Sequence, residues 1–212
     1  MTSGDGFYVD GSFIQHTHHP YNGSYGSVLL QDLSALLPWL QGSPWECTDP
    51  ARTNVLNWVY DSYEPFIYRG AMMPMTCGRA ISRSGSQEHV MGQNIMQYIL
   101  ALSPFGAAAD TARMRSMIKY WAQADTYRSF TDNLPLPLIT PALQLLADPW
   151  TPPRGELLGH WNFGSMAQAV HRRPGWGFAL SMSSRTIANY EYMNGENARG
   201  WFTGDGMTYL YN

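Results

Sequence analysis

The sequence contains few charged residues and almost no lysine. Only 14% of its 212 residues are charged, and Lys119 is the single lysine among 13 basic residues. A net charge of -3 and a pI near 6.0 give no reason to expect a nucleic-acid partner. The remaining basic residues are arginines, whose planar guanidinium groups bind carboxylates through paired hydrogen bonds.

Cysteines and long apolar runs are also scarce. The two cysteines, Cys47 and Cys77, do not form a dense disulfide framework, so they are either one bridge or, as we favour, two buried thiols. No stretch approaches the roughly 20 apolar residues that span a bilayer. The opening MTSGDG has neither a basic start nor an apolar run. We therefore expect a soluble chain with no membrane partner and no export signal.

The first part of the sequence has the pattern of a helical domain. A hydrophobic content of 44% in 212 residues is enough to bury a core in one large or two small domains. Apolar residues recur at three- and four-residue spacings, which is typical of amphipathic helices. The predicted helices cover residues 23–40, 53–68, 87–102, 110–124 and 141–147.

The pattern changes near residue 150. Residues 148–155, DPWTPPRG, contain three prolines and a glycine and are typical of a linker. Short segments separated by Gly or Pro follow, and they predict strands at residues 157–163, 166–172, 177–182 and 207–211. The sequence thus predicts an α+β multidomain organisation, with a helical domain over 1–150 and the start of an antiparallel β domain over 151–212.

The most informative segment is 5–30, DGFYVDGSFIQHTHHPYNGSYGSVLL, in which His16 and Tyr25 flank a turn. An imidazole, with an ordinary pKa of about 6.5, accepts a proton at neutral pH, and a phenol, near about 10, can donate one. Ionising a phenol at pH 7 costs roughly 4 kcal/mol, so the histidine is the better base and the tyrosine the better acid. A nearby arginine would favour the phenolate, and Tyr25 could then perform both steps. The surrounding Gly, Asn, Ser and Tyr suit a sugar-like ligand.

Two further motifs accompany this segment: GRAISR at 78–83 and NYEYMNGENARGWFTGDGMTYLYN at 189–212. Together the three closely resemble polysaccharide lyase family 8, whose members cleave hyaluronan, chondroitin or xanthan by β-elimination. The resemblance covers nearly the whole chain in content and spacing. It implies the C-terminal part of an (α/α) toroid, followed by the first strands of an antiparallel β-sandwich domain, with the substrate cleft between them.

The resemblance also implies a role for individual residues. The catalytic residues would be His16, Tyr25, Arg79 and Glu191, and the substrate-binding residues would be Arg83 and Asn194. Arg79, Glu191 and Tyr25 would form a hydrogen-bonded cluster. By the same resemblance, we expect the reaction to need no metal or other cofactor.

The family pattern has parts that this chain lacks. In the family, an asparagine that binds the uronate carboxylate and an aromatic patch that stacks on sugar rings lie upstream of the His–Tyr loop. We therefore expect an internal piece of a longer, extracellular enzyme, missing N- and C-terminal parts, with weak or absent turnover alone. Its expected partner is an acidic polysaccharide, with hyaluronan or chondroitin first and xanthan second, and its product a 4,5-unsaturated uronide.

The same residues allow other interpretations. The histidines of residues 16–19 could hold a metal in a hydrolase. The chain could also be a carbohydrate-binding module without a reaction. Arg79 and Arg83 could pair with Glu64 or Glu88 at the surface, which would contribute little energy. Tryptophans are more often core than sugar platforms, so we predict a mainly buried set: Trp39, Trp45, Trp58, Trp121, Trp161, Trp176 and Trp201.

Overall fold

A helical part precedes an antiparallel sheet in the computed structural model, which describes residues 1 and 3–212. The α-helices are α1 (Ser27–Leu40), α2 (Asn54–Trp58), α3 (Glu88–Leu102), α4 (Ala108–Ala124) and α5 (Leu136–Ala147). Helix α3 is central, because it packs against α1, α4 and α5 and buries most of its side chains. In the described residues, no helix is both long and apolar enough to cross a membrane.

The strands form three antiparallel groups. The first is β1 (Gly6–Phe7), β2 (Phe13–Gln15) and β3 (His19–Pro20), and the second is the hairpin of β4 (Ile67–Tyr68) and β5 (Ala71–Met72). The third is a four-stranded sheet in chain order, made of β6 (Gly159–Phe163), β7 (Gln168–Arg173), β8 (Trp176–Met182) and β9 (Asp205–Tyr211).

This order confirms the predicted helices followed by antiparallel strands. The strands of the four-stranded sheet begin and end within two residues of their predicted bounds. Burial alternates along β7 and β8, which is the pattern of strands with one face against a core. The ring centroids of Phe66, from the helical part, and Phe163, from β6, lie 4.4 Å apart, so the sheet packs on the helical part.

The single helix predicted for 53–68 is wrong. Helix α2 is short, and it is followed by a π-helical turn (Val59–Tyr63), a 3-10 turn (Glu64–Phe66) and then β4. Pro65 has no N–H to continue the helix and disfavours helical geometry at the residue before it. Positive φ angles at Arg69 (46°) and Gly70 (89°) then reverse the chain into β5. The strands β1 to β5 were not predicted.

The prediction of mainly buried tryptophans is only partly confirmed. Trp121 is fully buried and Trp58 packs on the core, but Trp39 is 85% exposed and Trp45 is 77% exposed. Trp201 and Trp176 are also exposed. The apolar residues of α1 occupy more than the one face that packs on the described core, so part of its apolar surface is uncovered. Both cysteines are free thiols, of which Cys77 is buried.

Candidate active site

His16 is presented by the turn between β2 and β3, and Tyr25 by the segment that leads into α1. Buried Asn22 fixes this segment, because its Nδ2 donates to the carbonyls of Gly11 and Ser62, each at 3.0 Å. Its Oδ1 accepts from the Phe13 N–H at 3.1 Å. A π-helical turn (Asn22–Gly26) follows, and it places Tyr25 beside the histidine.

The His16 imidazole is held by a buried carboxylate. Its Nδ1 lies 2.6 Å from Oε1 of Glu191, whose side chain is 3% exposed, while the His16 side chain is 28% exposed. An ionised carboxylate can only accept a hydrogen bond, so Nδ1 of His16 carries the hydrogen and donates a hydrogen bond to Glu191. The other ring nitrogen, Nε2, is left with a free lone pair and can act as a base.

Glu191 is itself surrounded by donors. The Tyr21 hydroxyl donates to its Oε2, and the Arg79 backbone N–H donates to the same oxygen at 3.2 Å. Burial would raise the pKa of Glu191, but hydrogen bonds from Tyr21, His16 and the Arg79 backbone hold this pKa below its ordinary value. Burial and the contact with this carboxylate raise the pKa of Tyr21. The carboxylate is therefore ionised and oriented at neutral pH.

Arg79 joins the two tyrosines and two carboxylates. Its Nη2 donates to the Tyr25 hydroxyl at 3.0 Å, and its Nη1 donates to the Tyr21 hydroxyl at 3.0 Å and to Glu191 at 3.3 Å. Its Nε donates to Glu196 at 2.8 Å. Because the Tyr25 oxygen accepts from the guanidinium, its own hydrogen is free to be donated elsewhere.

The rings of His16 and Tyr25 pack edge to face. Their centroids are 5.1 Å apart with an angle of 71° between the planes, and Tyr25 lies 4.8 Å from Tyr21 in a similar edge arrangement. Tyr25 is half-buried, so both the imidazole and the phenol can be reached from solvent. A base and an acid thus lie within the width of one sugar ring.

Arg83 and Asn194, the residues predicted to bind substrate, lie beside this cluster. Arg83 binds Glu196 through two hydrogen bonds, from Nε at 2.7 Å and from Nη2 at 2.9 Å. The bond from Arg83 is the largest cause that lowers the pKa of Glu196, to about 2. Asn194 is exposed and has a φ of 57° in the turn that leads to Glu196.

The alternative pairing of Arg79 and Arg83 with Glu64 or Glu88 is wrong. Both arginines instead bind Glu196, and Arg79 also binds Glu191. Glu64 is buried and paired with Arg113 and Arg154. Glu191 is buried and lies in the loop between β8 and β9.

Two residues of the cluster were missed by the sequence analysis. Tyr21 and Glu196 lie inside the segments PYNGSY and YMNGEN, next to residues that were singled out. Nothing in the spacing distinguishes a buried tyrosine from a turn tyrosine, or a carboxylate that bridges two arginines from one in solvent. The missing signal was the distance between Glu196 and GRAISR, which exists only in the folded chain.

The three histidines in residues 16–19 do not converge on one point. His18 Nδ1 lies 3.0 Å from the Thr186 carbonyl, whereas His16 Nδ1 is bound to Glu191. Across residues 1 and 3–212, no group of three or more His, Cys, Asp or Glu side chains is arranged to hold a metal.

The fold and this cluster define a class of protein in which a histidine–carboxylate pair and an arginine-bound tyrosine lie at the junction of helices and an antiparallel sheet. Residues 1–120 match the description "Polysaccharide lyase family 8, N terminal alpha-helical domain", and residues 158–212 match "Polysaccharide lyase family 8, super-sandwich domain". The chain belongs to polysaccharide lyase family 8.

Individual relatives agree with this assignment. The chain is 42% identical over 211 residues to xanthan lyase from Bacillus sp. (strain GL1) and 41% identical over 213 residues to hyaluronate lyase from Thermasporomyces composti. These matches cover 100% of this chain but 23% and 27% of the relatives. The chain therefore spans about a quarter of the length of the relatives it matches.

Solved structures show the same relationship. The Paenibacillus xanthan lyase superposes with a TM-score of 0.97 at 50% identity, covering 100% of this chain and 20% of that structure. The Streptomyces coelicolor A3 chondroitin AC lyase, in complex with chondroitin sulphate, gives 0.93 at 39% identity, covering 100% and 30%. The predicted succession of a helical part and antiparallel sandwich strands is thereby confirmed.

Proposed function

We propose that this chain carries the proton-transfer site of a lyase that cleaves a uronic-acid glycosaminoglycan, hyaluronan or chondroitin, by β-elimination. The observation that carries the proposal is the pairing of His16 with buried Glu191 at 2.6 Å, beside a Tyr25 that is held by Arg79 at 3.0 Å. Catalytic roles follow for these four residues. The first two relatives named above are polysaccharide lyases, which supports the same reaction class.

The reaction begins at C5 of the uronate. His16 Nε2 takes the C5 proton, and the electrons of the C5–H bond form the C4=C5 double bond while the C4–O bond breaks. The negative charge of Glu191 stabilises the imidazolium that forms. No water enters the product.

Tyr25 completes the elimination. Its hydroxyl proton passes to the departing C4 oxygen, and the phenolate left behind is stabilised by the Nη2 donor of Arg79. The imidazolium lies 5.1 Å from the phenolate between ring centroids, so return of the proton from His16 to Tyr25 restores the starting state. The alternative in which Tyr25 performs both steps needs the phenolate first, and the Arg79 contact would also stabilise it.

The uronate carboxylate must be neutralised before C5 becomes acidic enough to lose its proton. In the cluster, Arg79 and Arg83 already bind Glu191 and Glu196. We therefore place the neutralising group outside this chain and propose that residues 1–212 are an internal piece of a longer extracellular enzyme. The 20–30% coverage of the solved relatives supports this, as does the exposed apolar surface of α1.

The domain division is part of the same proposal. We assign residues 1–150 to a portion of an (α/α) toroid and residues 151–212 to the start of the β-sandwich. The last helix ends at Ala147 and the four-stranded sheet begins at Gly159, which supports a boundary between them. Arg83 and Asn194 would hold the polysaccharide at the rim of the cleft.

Xanthan is the second candidate substrate. The 50% identity and TM-score of 0.97 with the Paenibacillus xanthan lyase favour it. Both candidates require the same elimination at a uronate. The choice between them changes the sugar contacts and leaves the proton transfers as described.

The experiment mixes the enzyme that carries this segment with hyaluronan, chondroitin and xanthan separately and records the absorbance of the C4=C5 enoate. We expect absorbance with one of them, unsaturated ends in the products by mass spectrometry, and activity that survives a chelator. Binding without absorbance on all three would contradict the lyase and indicate a carbohydrate-binding module. Products that have gained water, formed only without chelator, would indicate a metal-dependent hydrolase.

A further inference from the structure

The turn that carries His16 has an unusual backbone. His16 has a φ of 50° and Thr17 a φ of 69°, so two consecutive residues with side chains are in the left-handed region. Threonine is β-branched and rarely adopts this geometry. The His18 N–H donates to the His16 carbonyl at 2.8 Å, which makes Thr17 the centre of a tight three-residue turn of the strained type. Such a backbone persists only where its surroundings hold it.

The Asp5 carboxylate stabilises this backbone conformation. Its Oδ2 accepts from the His16 N–H at 3.1 Å, and its Oδ1 accepts from the Thr17 N–H at 2.7 Å. Consecutive N–H groups that converge on one anion form a favourable binding concavity for it. The antiparallel pairing of Gly6 with Ile14 brings Asp5 opposite the end of β2, where the turn begins.

Two other contacts of the turn involve His18 and do not bind the backbone N–H groups of His16 and Thr17. The Ala188 N–H donates to the His18 carbonyl at 3.0 Å, and His18 Nδ1 lies 3.0 Å from the Thr186 carbonyl. Both contacts hold His18, on the far side of the turn. The amides of the two left-handed residues are bound by Asp5.

The geometry points to Asp5 as a positioning residue for the imidazole of His16. The positive φ of His16 sets the direction of its Cβ, and the imidazole contacts Glu191 from that direction. If the turn relaxes to the ordinary region, the ring moves away from both Glu191 and Tyr25. Asp5 acts only through this backbone, and the inference rests on the proposed function for its kinetic consequence.

The test replaces Asp5 in the enzyme that carries this segment. Small displacements of a catalytic group cost large factors in rate, so we expect Asp5→Ala to lower kcat by about tenfold with KM within about twofold. Asp5→Asn keeps one acceptor oxygen, so its kcat should lie between those of the unmodified enzyme and Asp5→Ala. The matched control is Asp49→Ala, because Asp49 is an exposed aspartate that also accepts a backbone N–H, from Ala51 at 2.7 Å.

A second substitution separates positioning from charge. Glycine adopts positive φ without a Cβ penalty, so a turn with Thr17→Gly depends less on the carboxylate. We expect Asp5→Ala to cost at most about threefold in kcat in the Thr17→Gly background, against about tenfold alone. An unchanged kcat in Asp5→Ala, or an equal loss in both backgrounds, would overturn the inference.

A structural readout keeps the inference independent of the reaction. Hydrogen–deuterium exchange of a peptide that spans residues 13–20 should rise in Asp5→Ala and stay unchanged in Asp49→Ala. If the unmodified enzyme forms no unsaturated product but this exchange difference is present, the proposed function fails while the hold on the turn stands. If product forms and the exchange of this peptide is the same in Asp5→Ala, the positioning role fails alone.

Discussion

Nδ1 of His16 and Oε1 of Glu191 lie 2.6 Å apart, although 175 positions separate the two residues in the chain. The histidine comes from a turn near the N-terminus and the glutamate from the loop between β8 and β9. This contact forms only when the helical part and the sheet are packed together. The candidate site is therefore a product of the tertiary fold and not of one local motif.

Tyr25→Phe tests the proposed acid. The substitution keeps the ring beside His16 and removes the hydroxyl that accepts from Arg79. Loss of a positioned proton donor should lower kcat by at least about 100-fold, with polysaccharide binding largely intact. Steady-state enoate formation and equilibrium binding check this. Tyr127→Phe is the matched control, since Tyr127 is 75% exposed and lies beside His89. Retained turnover in Tyr25→Phe would remove this tyrosine from the mechanism.

Tyr21→Phe tests the inner tyrosine. Its hydroxyl donates to Glu191 and accepts from Arg79, so its loss leaves two buried charged groups short of a partner. We expect a loss of about 1–3 kcal/mol in the free energy of unfolding, measured in urea, and a lower kcat because Glu191 is less well oriented.

The control for this tyrosine is Tyr63→Phe. Tyr63 is fully buried, and within the described residues its hydroxyl has no hydrogen-bond partner. Removing it should be neutral or slightly stabilising. Equal destabilisation by the two substitutions would mean that the Tyr21 hydroxyl contributes nothing specific.

Gly78→Ala tests how the GRAISR segment approaches Tyr21. A Cβ at Gly78 would overlap the Tyr21 ring, and its φ of 51° is unfavourable for alanine. We expect a loss of about 2–4 kcal/mol in the free energy of unfolding, together with reduced kcat as the ring is displaced. Gly85→Ala should stay within about 1 kcal/mol, because a Cβ there meets no atom within 4 Å and its φ is not positive. Similar values for the two variants would contradict the close packing.

Glu196→Gln tests the bridge to Arg79 and Arg83 by its pH dependence. The folded pKa of Glu196 is lowered to about 2 from an ordinary 4.5, so the stability it contributes is fully present above about 4.5 and is lost as the pH falls towards about 2. The difference in urea midpoint between the unmodified chain and Glu196→Gln should therefore be constant from about pH 5 to about pH 8 and shrink in acid.

Glu46, which forms no ion pair with residues 1 and 3–212, provides the comparison for this titration. Glu46 accepts a single backbone N–H, from Gly42 at 2.9 Å. The midpoint difference for Glu46→Gln should be smaller over the whole range. A Glu196→Gln difference that grows as the pH falls would show that the two arginines do not stabilise the carboxylate.

Much of the secondary structure could be predicted because it is periodic. Helices α3 and α4 have repeated apolar spacings over about four turns, and the strands of the large sheet are separated by Gly or Pro. Strands β1 to β5 have only two or three residues, too few for an alternating pattern. Their existence depends on partners elsewhere, such as the pairing of Gly6 with Ile14.

Part of the candidate site was predicted from the sequence, but Tyr21, Glu196 and the contact between His16 and Glu191 were not. The motifs led to His16, Tyr25, Arg79 and Glu191, and the structure brings these four together; their catalytic roles stay predictions. The predicted cluster of Arg79, Glu191 and Tyr25 forms through the guanidinium. Tyr21 was missed because burial of a tyrosine four residues before another cannot be read from their spacing.

Arg79 lies where four side chains from two distant stretches of sequence meet, and each nitrogen of its guanidinium donates to at least one of them. Lysine at this position would offer one ammonium group in place of three nitrogens that donate in fixed directions, so it could not reproduce this set of hydrogen bonds. A hybrid enzyme that takes residues 158–212 from a relative would keep this arrangement only if the new segment places both glutamates against Arg79. Arg79 thereby limits which helical parts and which sheets of related enzymes can be combined in a working hybrid.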